Sequence, residues 1–154
     1  MKQFLLGLLP SLMLGCATVS NEIVIDAAPM QVWNVLIETE KYPEWNPVMT
    51  KVSGRHEIGK ELIFTIAGMG DKPIDMGAKA CKIEEPKYLE QKGGTWGMMT
   101  FHHQYILEKV DKGTKVTQRE GYSGLGLLFW DYKMMNQVYQ SSNEALKIRV
   151  ESLK

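Results

Sequence analysis

Apolar and polar residues alternate through the middle of the chain in short segments, which glycine, proline and asparagine separate. Alternation with a period of two is typical of strands that bury one face. The first predicted strand covers residues 21–26, and six more follow at 48–54, 61–67, 74–84, 87–92, 98–110 and 114–122. Between the first two strands, Ala28-Pro29 predicts the start of a short helix, because proline is favoured at the first helical position.

From about Leu127 the apolar period becomes three to four residues and stays so to the C-terminus, which predicts one long helix. About 25 residues at 1.5 Å each would make it about 38 Å long. Its predicted sheet-facing stripe consists of Trp130, Met134, Val138, Ser141, Ala145 and Ile148. Consecutive strands closed by a single amphipathic helix predict an α+β fold, in which a curved, seven-stranded antiparallel sheet folds around that helix.

The segment Lys41–Pro47 (KYPEWNP) places two large aromatic side chains in a predicted turn. Each proline disfavours helical geometry in the residue before it, so Tyr42 and Asn46 are predicted to be non-helical. Two explanations for Tyr42 and Trp45 stay open: the rings cover a packed core, or they form the rim of a cavity.

The first fifteen residues have the pattern of a signal peptide. A basic start at Lys2 precedes an apolar run over residues 4–14, which is too short to span a bilayer and contains Pro10. Met13-Leu14-Gly15-Cys16 resembles the lipobox of bacterial lipoproteins, although leucine is usual where Met13 stands. We therefore expect a signal peptide at residues 1–15, a lipidated tether at 16–20 that begins with Cys16, and one domain at 21–154. Such a protein would be anchored at the cell envelope, on the periplasmic face of an outer membrane if the cell has one.

Charge gives no reason to expect nucleic acid as a partner. The 154 residues contain 18 basic and 18 acidic side chains, and removal of Lys2 with the signal peptide leaves 17 basic ones. A chain without net positive charge lacks the basic surface that binds phosphate backbones. There are two cysteines, and lipidation of Cys16 would leave Cys81 without a partner for an intrachain disulfide.

The last predicted hairpin indicates which residues face the interior. A two-residue turn at Lys112-Gly113 would pair Leu107 with Gln118, Tyr105 with Glu120, and His103 with Tyr122, and cross-strand partners share a face. Apolar residues at 101, 105 and 107 mark this face as the inner one. His103, Gln118 and Glu120 would then be polar groups on an apolar inner surface.

His102 and His103 do not form a metal-binding pair in this interpretation, because neighbours on a strand point to opposite faces. We expect no metal and no cofactor. His103, Tyr105 and Glu120 are the only candidates for proton transfer, since a histidine near a buried carboxylate can act as a base. The alternative is a hydrogen-bonded pair that allows two polar groups to be buried.

Several motifs resemble one protein family. Asp26-Ala27 with Pro29, Val32-Trp33, Tyr42–Pro47 and Glu84–Pro86 are similar to motifs of the START-like helix-grip superfamily (SRPBCC), above all its polyketide cyclase/dehydrase and lipid-transport branch. Further matches are His103 with Tyr105 and Leu107, Gly113-Thr114, and Glu120 with Gly124. The resemblance covers about residues 21–152 and implies a helix-grip fold with a cavity between the sheet and the long helix. Because this fold hosts carriers and enzymes alike, it does not by itself decide the function.

Ten methionines add flexible apolar side chains that adapt to irregular space. With the implied cavity, they favour binding or carriage of a small hydrophobic ligand, such as a lipid, quinone or polyketide-like molecule. The predicted ligand-binding residues are Trp45, Met98, His103, Tyr105, Gln118, Glu120, Trp130 and Met134. One alternative is a cyclase or dehydratase that uses His103, Tyr105 and Glu120; another is an envelope interaction protein whose own side chains fill the cavity.

Overall fold

The computed structural model describes residues 16–67 and 72–154. Seven antiparallel strands form one sheet: β1 (Cys16–Ile25), β2 (Met49–Ser53), β3 (Glu61–Ile66), β4 (Ile74–Glu84), β5 (Tyr88–Thr95), β6 (Met99–Val110) and β7 (Gly113–Ser123). Their order across the sheet is β1-β7-β6-β5-β4-β3-β2. Helices α1 (Pro29–Ile37) and α2 (Tyr42–Trp45) connect β1 to β2, and α3 (Met135–Glu151) follows β7.

The curved sheet wraps around α3, which confirms the predicted α+β helix-grip arrangement. Alternate residues of β6 and β7 are buried beneath α3 and α1, among them Tyr105, Leu107 and Val116. Within residues 16–67 and 72–154, no helix is both long enough and apolar enough to cross a bilayer.

The β6–β7 turn lies one residue earlier than the sequence predicts. Val110 pairs with Gly113, so Asp111 and Lys112 form the turn, and His103 lies opposite Glu120 instead of Tyr122. Gly113 adopts a φ of +118°, and a Cβ there would lie 2.1 Å from the carbonyl oxygen of Ile25. The register is displaced by two residues, and the predicted inner face is correct because a displacement of two preserves the side-chain direction.

The C-terminal helix is shorter than predicted and presents a different face. Short 3₁₀ segments occupy Leu125–Leu128 and Tyr132–Met134, and the α-helix begins only at Met135. The buried residues of α3 are Met135, Tyr139, Ser142, Asn143, Leu146 and Val150. The predicted stripe was correct at Trp130 and Val138, which line the space between the helix and the sheet. It was wrong by one residue elsewhere on the helix, since Ser141 is exposed and Ile148 is 70% exposed.

The predicted turn at Lys41–Pro47 contains one turn of helix. Tyr42 is helical (φ −54°, ψ −41°), contrary to the prediction, whereas Asn46 is extended as predicted. Burial of the Tyr42 ring and a 2.7 Å hydrogen bond from its hydroxyl to the carbonyl of Leu36 outweigh the local effect of Pro43. Asn46 then ends α2, and its side-chain oxygen accepts hydrogen bonds from the N–H groups of Val48 and Met49.

The N-terminal strand is longer than predicted. Residues 16–20, expected to be a tether, form the first half of β1, and Cys16 pairs with Ser123 at the end of β7. Any group attached to Cys16 would therefore sit directly at this end of the sheet. The predicted signal peptide at residues 1–15 lies outside the described residues.

Candidate functional site

A cavity of about 240 Å³ lies between the inner face of the sheet and α3. The strands contribute apolar wall residues such as Phe64, Met76 and Phe101. The helix contributes Met135 and Val138 from the opposite side. The result is a partly open, largely apolar space of the kind in which proteins bind small hydrophobic molecules.

Polar side chains reach this wall at a few positions only. They are Gln91, His103, Glu120, Tyr122, Tyr139 and Ser142. All six are buried, so each must find a hydrogen-bond partner within the protein or in a ligand. Most of these six side chains belong to one of two hydrogen-bond networks.

The first network runs through His103 on β6. Its Nδ1 lies 3.3 Å from Oε1 of Gln91, and its Nε2 lies 3.0 Å from the side-chain nitrogen of Gln118. Gln118 also donates to the hydroxyl of Tyr105 (3.1 Å), and Gln91 to Nδ1 of His56 (3.3 Å). Both ring nitrogens of His103 are thus engaged by side chains of the protein.

This arrangement fits a neutral His103. An amide oxygen beside Nδ1 requires the proton on Nδ1, and an amide nitrogen beside Nε2 requires a lone pair there. Burial lowers the pKa of His103 to about 3, and it lowers that of His56 to about 4. His103 therefore stabilises the inner face as a neutral hydrogen-bonding group and has no free nitrogen to serve as a base.

The second network centres on Glu120. The Tyr122 hydroxyl donates to its Oε2 and lies 3.2 Å from the Tyr139 hydroxyl on α3. The ring of Trp130 packs edge-on against Tyr122 at 5.0 Å between centroids. Burial raises the pKa of Glu120 to about 7, although the hydrogen bond from Tyr122 lowers it in part.

Among the described residues of the cavity wall, Glu120 is therefore the one group whose charge changes near neutral pH. In its protonated form it can donate a hydrogen bond to an oxygen atom of a ligand. In its ionised form it can accept one. The same carboxyl could also transfer a proton to or from a bound molecule.

The structure brings some of the predicted ligand-binding residues together at the cavity. His103, Glu120 and Trp130 lie on its wall. Tyr105 and Gln118 are buried deeper in the same sheet, where Gln118 bridges Tyr105 to His103. Tyr105 and Gln118 therefore hold His103 in position and do not line the cavity themselves.

Three predicted residues lie away from the wall. Trp45 is half-buried and packs against Tyr42 at 5.0 Å, so the two rings cover the core. Met98 is 69% exposed, and its neighbour Met99 reaches the cavity instead. Met134 ends a 3₁₀ segment, and Met135 takes the wall position that was predicted for it.

Sequence reasoning missed Gln91, Tyr122, Tyr139 and Ser142. Gln91 lies two residues after the apolar Leu89 on β5 and therefore on the same face, so the period-two pattern could have placed it on the inner face. Tyr122 shares the inner parity of Glu120. Tyr139 and Ser142 were missed because the predicted stripe named Val138 and Ser141, one residue earlier in each case. A correct helix start would have placed both on the buried face.

His102 and His103 point to opposite faces of the sheet, as predicted. His103 is buried in the interior, whereas the side chain of His102 is 39% exposed on the outer face.

The chain belongs to the polyketide cyclase/dehydrase and lipid transport family, whose sequence model matches residues 17–151. None of the curated proteins matches the sequence significantly.

Solved structures show the same fold at low sequence identity. A START superfamily protein from Mycobacterium smegmatis superposes with a TM-score of 0.69 at 13% identity, over 89% of this chain and 99% of its own. A Staphylococcus aureus protein of unknown function gives 0.73 at 9% identity, over 92% and 98%. DynU16, from the dynemicin biosynthetic locus, gives 0.70 at 14% identity, over 89% of this chain and 48% of its own. The helix-grip fold is thus START-like.

Proposed function

We propose that the protein binds a small apolar ligand with one hydrogen-bonding oxygen in the cavity between the sheet and α3. The observation that carries this proposal is the carboxyl of Glu120 on a wall that consists mainly of apolar side chains. Family membership supports a hydrophobic ligand, since lipid transport is part of the family description.

The volume of the cavity limits the size of the ligand. About 240 Å³ exceeds the roughly 150 Å³ cavity that accepts benzene, and it is below the roughly 300–1,000 Å³ of pockets for drug-sized ligands. One or two fused rings, or the end of an acyl chain, would fit this space. Met76 and Met135 can change rotamer to fit different apolar shapes.

We infer further that the ligand comes from a membrane to which the protein is tied through Cys16. Five apolar side chains are exposed at the end of the sheet where β1 begins, and we refer to them together as the apolar tip: Trp96, Met98, Leu125, Leu128 and Phe129. The main chain joins their two segments, because the N–H of Gly126 donates to the carbonyl of Met98 at 2.8 Å.

The position of the apolar tip supports this inference. Cys16 pairs with Ser123, directly before the second tip segment, so a lipid on Cys16 would lie on the same side as the tip. Exposed apolar patches of this kind mark interaction surfaces, and a bilayer would bury Trp96 and Phe129, which are 92% and 91% exposed. Met99 and Trp130, next in sequence to Met98 and Phe129, line the cavity. A membrane at the tip would therefore adjoin one wall of the binding site.

Ligand capture tests the binding proposal. The full-length protein, purified from cell membranes in a mild detergent, should release a defined apolar compound on solvent extraction. Val138→Trp should reduce the recovered amount at least about tenfold, because Val138 lines the cavity from α3 and the larger ring would fill it. Ile148→Trp is the matched control, since it adds the same ring to the same helix at an exposed position.

Equal recovery from wild type and Val138→Trp would contradict binding in this cavity. Recovery of nothing from either protein would favour the interaction protein with a filled core. Circular dichroism and thermal melting of both variants distinguish loss of binding from loss of fold.

A second candidate function is proton transfer on a polyketide-like substrate, as in a cyclase or dehydratase. The raised pKa of Glu120 favours it, because a carboxyl near neutrality can act as acid or base. Of the predicted trio, His103 has both nitrogens engaged and Tyr105 lies behind the wall, so Glu120 would carry the step. Glu120→Gln should then abolish turnover while ligand is still recovered.

A further inference from the structure

Three side chains with different metal-binding groups converge on the outer face of the sheet, away from the cavity. They are the thiol of Cys81, the carboxylate of Glu90 and the imidazole of His102, and their donor atoms all lie within 4.8 Å of one another. We propose that they form a binding site for one zinc ion. The sequence-based expectation of no metal site rested on the opposite directions of His102 and His103 and on the presence of only two cysteines.

An irregularity in β4 brings Cys81 to this position. Ala80 pairs with Gln91 and Lys82 pairs with Glu90, so Cys81 is an extra residue in the β4 strand. Such a bulge allows two consecutive side chains to face the same side. Both Cys81 and Lys82 are exposed on the outer face, opposite Glu90.

Glu90 is held in place before any metal binds. Tyr88 donates from its hydroxyl to Oε2, and Gln104 donates to that hydroxyl at 2.7 Å. The other oxygen, Oε1, lies 3.3 Å from Sγ of Cys81 and 2.6 Å from Nε2 of His102. Oε2 is thus held by Tyr88, and Oε1 is directed at the other two side chains of the site, as is common for ligands in metal sites.

The distances are close to those of a zinc site. Bonds of about 2.0–2.3 Å in a tetrahedron place ligand atoms about 3.3–3.7 Å apart. The Cys81–Glu90 separation already satisfies this, and the Glu90–His102 separation must lengthen by less than about 1 Å. The donor atoms of Cys81 and His102 lie within 4.8 Å of each other and must approach by up to about 1.3 Å. The main competitor is the ammonium group of Lys92, which lies 3.3 Å from Oε1 but is 57% exposed and free to turn away.

His102 supplies the third ligand atom, because its Nε2 is held beside Glu90. Its Nε2 is buried and lacks an aligned hydrogen bond, although it lies 2.6 Å from a carboxylate oxygen. In the metal-free protein a proton on Nε2 occupies the space between these two atoms, and a metal ion would take its place. Thiolate, imidazole and carboxylate together form a ligand set that suits zinc, and three protein ligands leave a fourth position for water.

Zinc would connect three adjacent strands, because Cys81, Glu90 and His102 lie on β4, β5 and β6. Coordination would replace the proton on the Cys81 thiol, which Glu90 now accepts in a hydrogen bond, and release it to solvent. The ion would hold together the strands whose inner faces carry Gln91 and His103.

Cobalt(II) substitution tests the site in the full-length, detergent-solubilised protein. Titration of the metal-free protein should produce a thiolate-to-cobalt charge-transfer band that saturates at one cobalt per chain, and zinc should abolish the band. The band should be lost in Cys81→Ser and in His102→Gln. Cys16→Ser is the matched control, since it removes the only other cysteine and should leave the band unchanged.

A second measurement does not depend on cobalt. Zinc at about 100-fold above its Kd should raise the Tm of the wild type by about 5 °C or more. Neither Cys81→Ser nor His102→Gln should show this increase, while both should melt cooperatively without metal. Absence of the band in the wild type, its persistence in Cys81→Ser, or an equal zinc-induced Tm increase in all variants would overturn the proposal.

Discussion

His103 and Glu120 lie directly opposite each other on β6 and β7, yet their side chains belong to different hydrogen-bond networks. His103 is held by Gln91 and Gln118, whereas Glu120 accepts from Tyr122. A histidine–carboxylate pair would have stabilised both charges. Separate networks instead allow burial to keep His103 neutral and to raise the pKa of Glu120, so their titrations affect stability in opposite directions.

Glu120→Gln should alter how stability depends on pH. The pKa of Glu120 rises from 4.5 to about 7 on folding, so the native state binds more protons than the unfolded state between these values. The contribution of Glu120 is therefore fully present below pH 4.5 and is lost as the pH rises through 7. Across this window the wild type should lose up to about 3 kcal/mol of unfolding free energy relative to Glu120→Gln. Urea denaturation of both proteins between pH 4.5 and 8 measures the difference.

His103→Gln is the comparison for that experiment because burial shifts the pKa of His103 in the opposite direction to that of Glu120. Burial lowers the pKa of His103 from 6.5 to about 3, so its contribution is present above pH 6.5 and is lost as the pH falls. The two variants should therefore deviate from the wild type at opposite ends of the pH range. A difference between wild type and Glu120→Gln that is constant with pH would show that Glu120 is not buried as described.

Replacement of Gln118 should destabilise the protein, because it leaves His103 without one of its hydrogen-bond partners. Gln118 is fully buried, and in Gln118→Leu the Nε2 of His103 would lose its donor while the Tyr105 hydroxyl would lose one partner. An unsatisfied buried polar group costs about 1–3 kcal/mol, which chemical denaturation can measure. Gln140→Leu, at an exposed position on α3, should change the unfolding free energy by less than about 0.5 kcal/mol. Equal effects of the two substitutions would argue against the network.

Asn46→Ala should destabilise the protein, because Asn46 connects the turn after α2 to the long helix. Asn46 accepts from the N–H groups of Val48 and Met49 and donates to Ser142 at 3.1 Å. Loss of these three hydrogen bonds, two of them buried, should lower the unfolding free energy by about 2–4 kcal/mol. The exposed Asn136→Ala on α3 is the control. A similar melting temperature for both variants would show that Asn46 does not connect the turn to α3.

The asparagine in KYPEWNP illustrates what sequence alone could predict. Two prolines and two aromatic residues indicated a special turn, and the family resemblance placed it before the second strand. The contact of Asn46 with Ser142 joins residues 96 positions apart, and no local pattern predicts such a pairing. Tyr42 was predicted incorrectly because its helical geometry depends on burial, which is a tertiary effect.

The cavity shows the same division between local and long-range information. Period-two alternation placed His103, Gln118 and Glu120 on the inner face, and the two-residue error in register left that result intact. No capping residue in the sequence marks the start of α3, because its N-cap position is occupied by Met134, whose side chain makes no capping hydrogen bond. The stripe was therefore displaced by one residue, and the wall positions of Met135 and Tyr139 were missed.

Lipidation at Cys16 remains a prediction from the sequence, and it has a direct test. A labelled fatty acid should be incorporated into the wild type and not into Cys16→Ser, which should also accumulate as a longer precursor. Cys81→Ser should be labelled like the wild type. Processing and membrane fractionation of Cys16→Ser that match those of the wild type would contradict the anchor.

The apolar tip should bind membranes in the absence of the anchor. A chain that begins at residue 16 with Cys16→Ser retains all of β1, so its sheet is complete. Trp96 and Phe129 are almost fully exposed, and burial of such side chains contributes about 1.5–3 kcal/mol each. Trp96→Ser with Phe129→Ser should therefore weaken co-sedimentation with zwitterionic phospholipid vesicles at least about tenfold.

The control for this prediction lies at the opposite end of the molecule. Leu153 is 59% exposed and follows α3, where Lys154 pairs with Asp26 at 2.5 Å. The 17-residue helix separates this end from the tip by about 26 Å, so Leu153→Ser should bind vesicles like the parent chain. Analytical ultracentrifugation without vesicles distinguishes a second explanation, since a tip that mediates self-association would make the parent chain dimeric. Equal sedimentation of the double variant and the Leu153 control would show that the tip does not contact the bilayer.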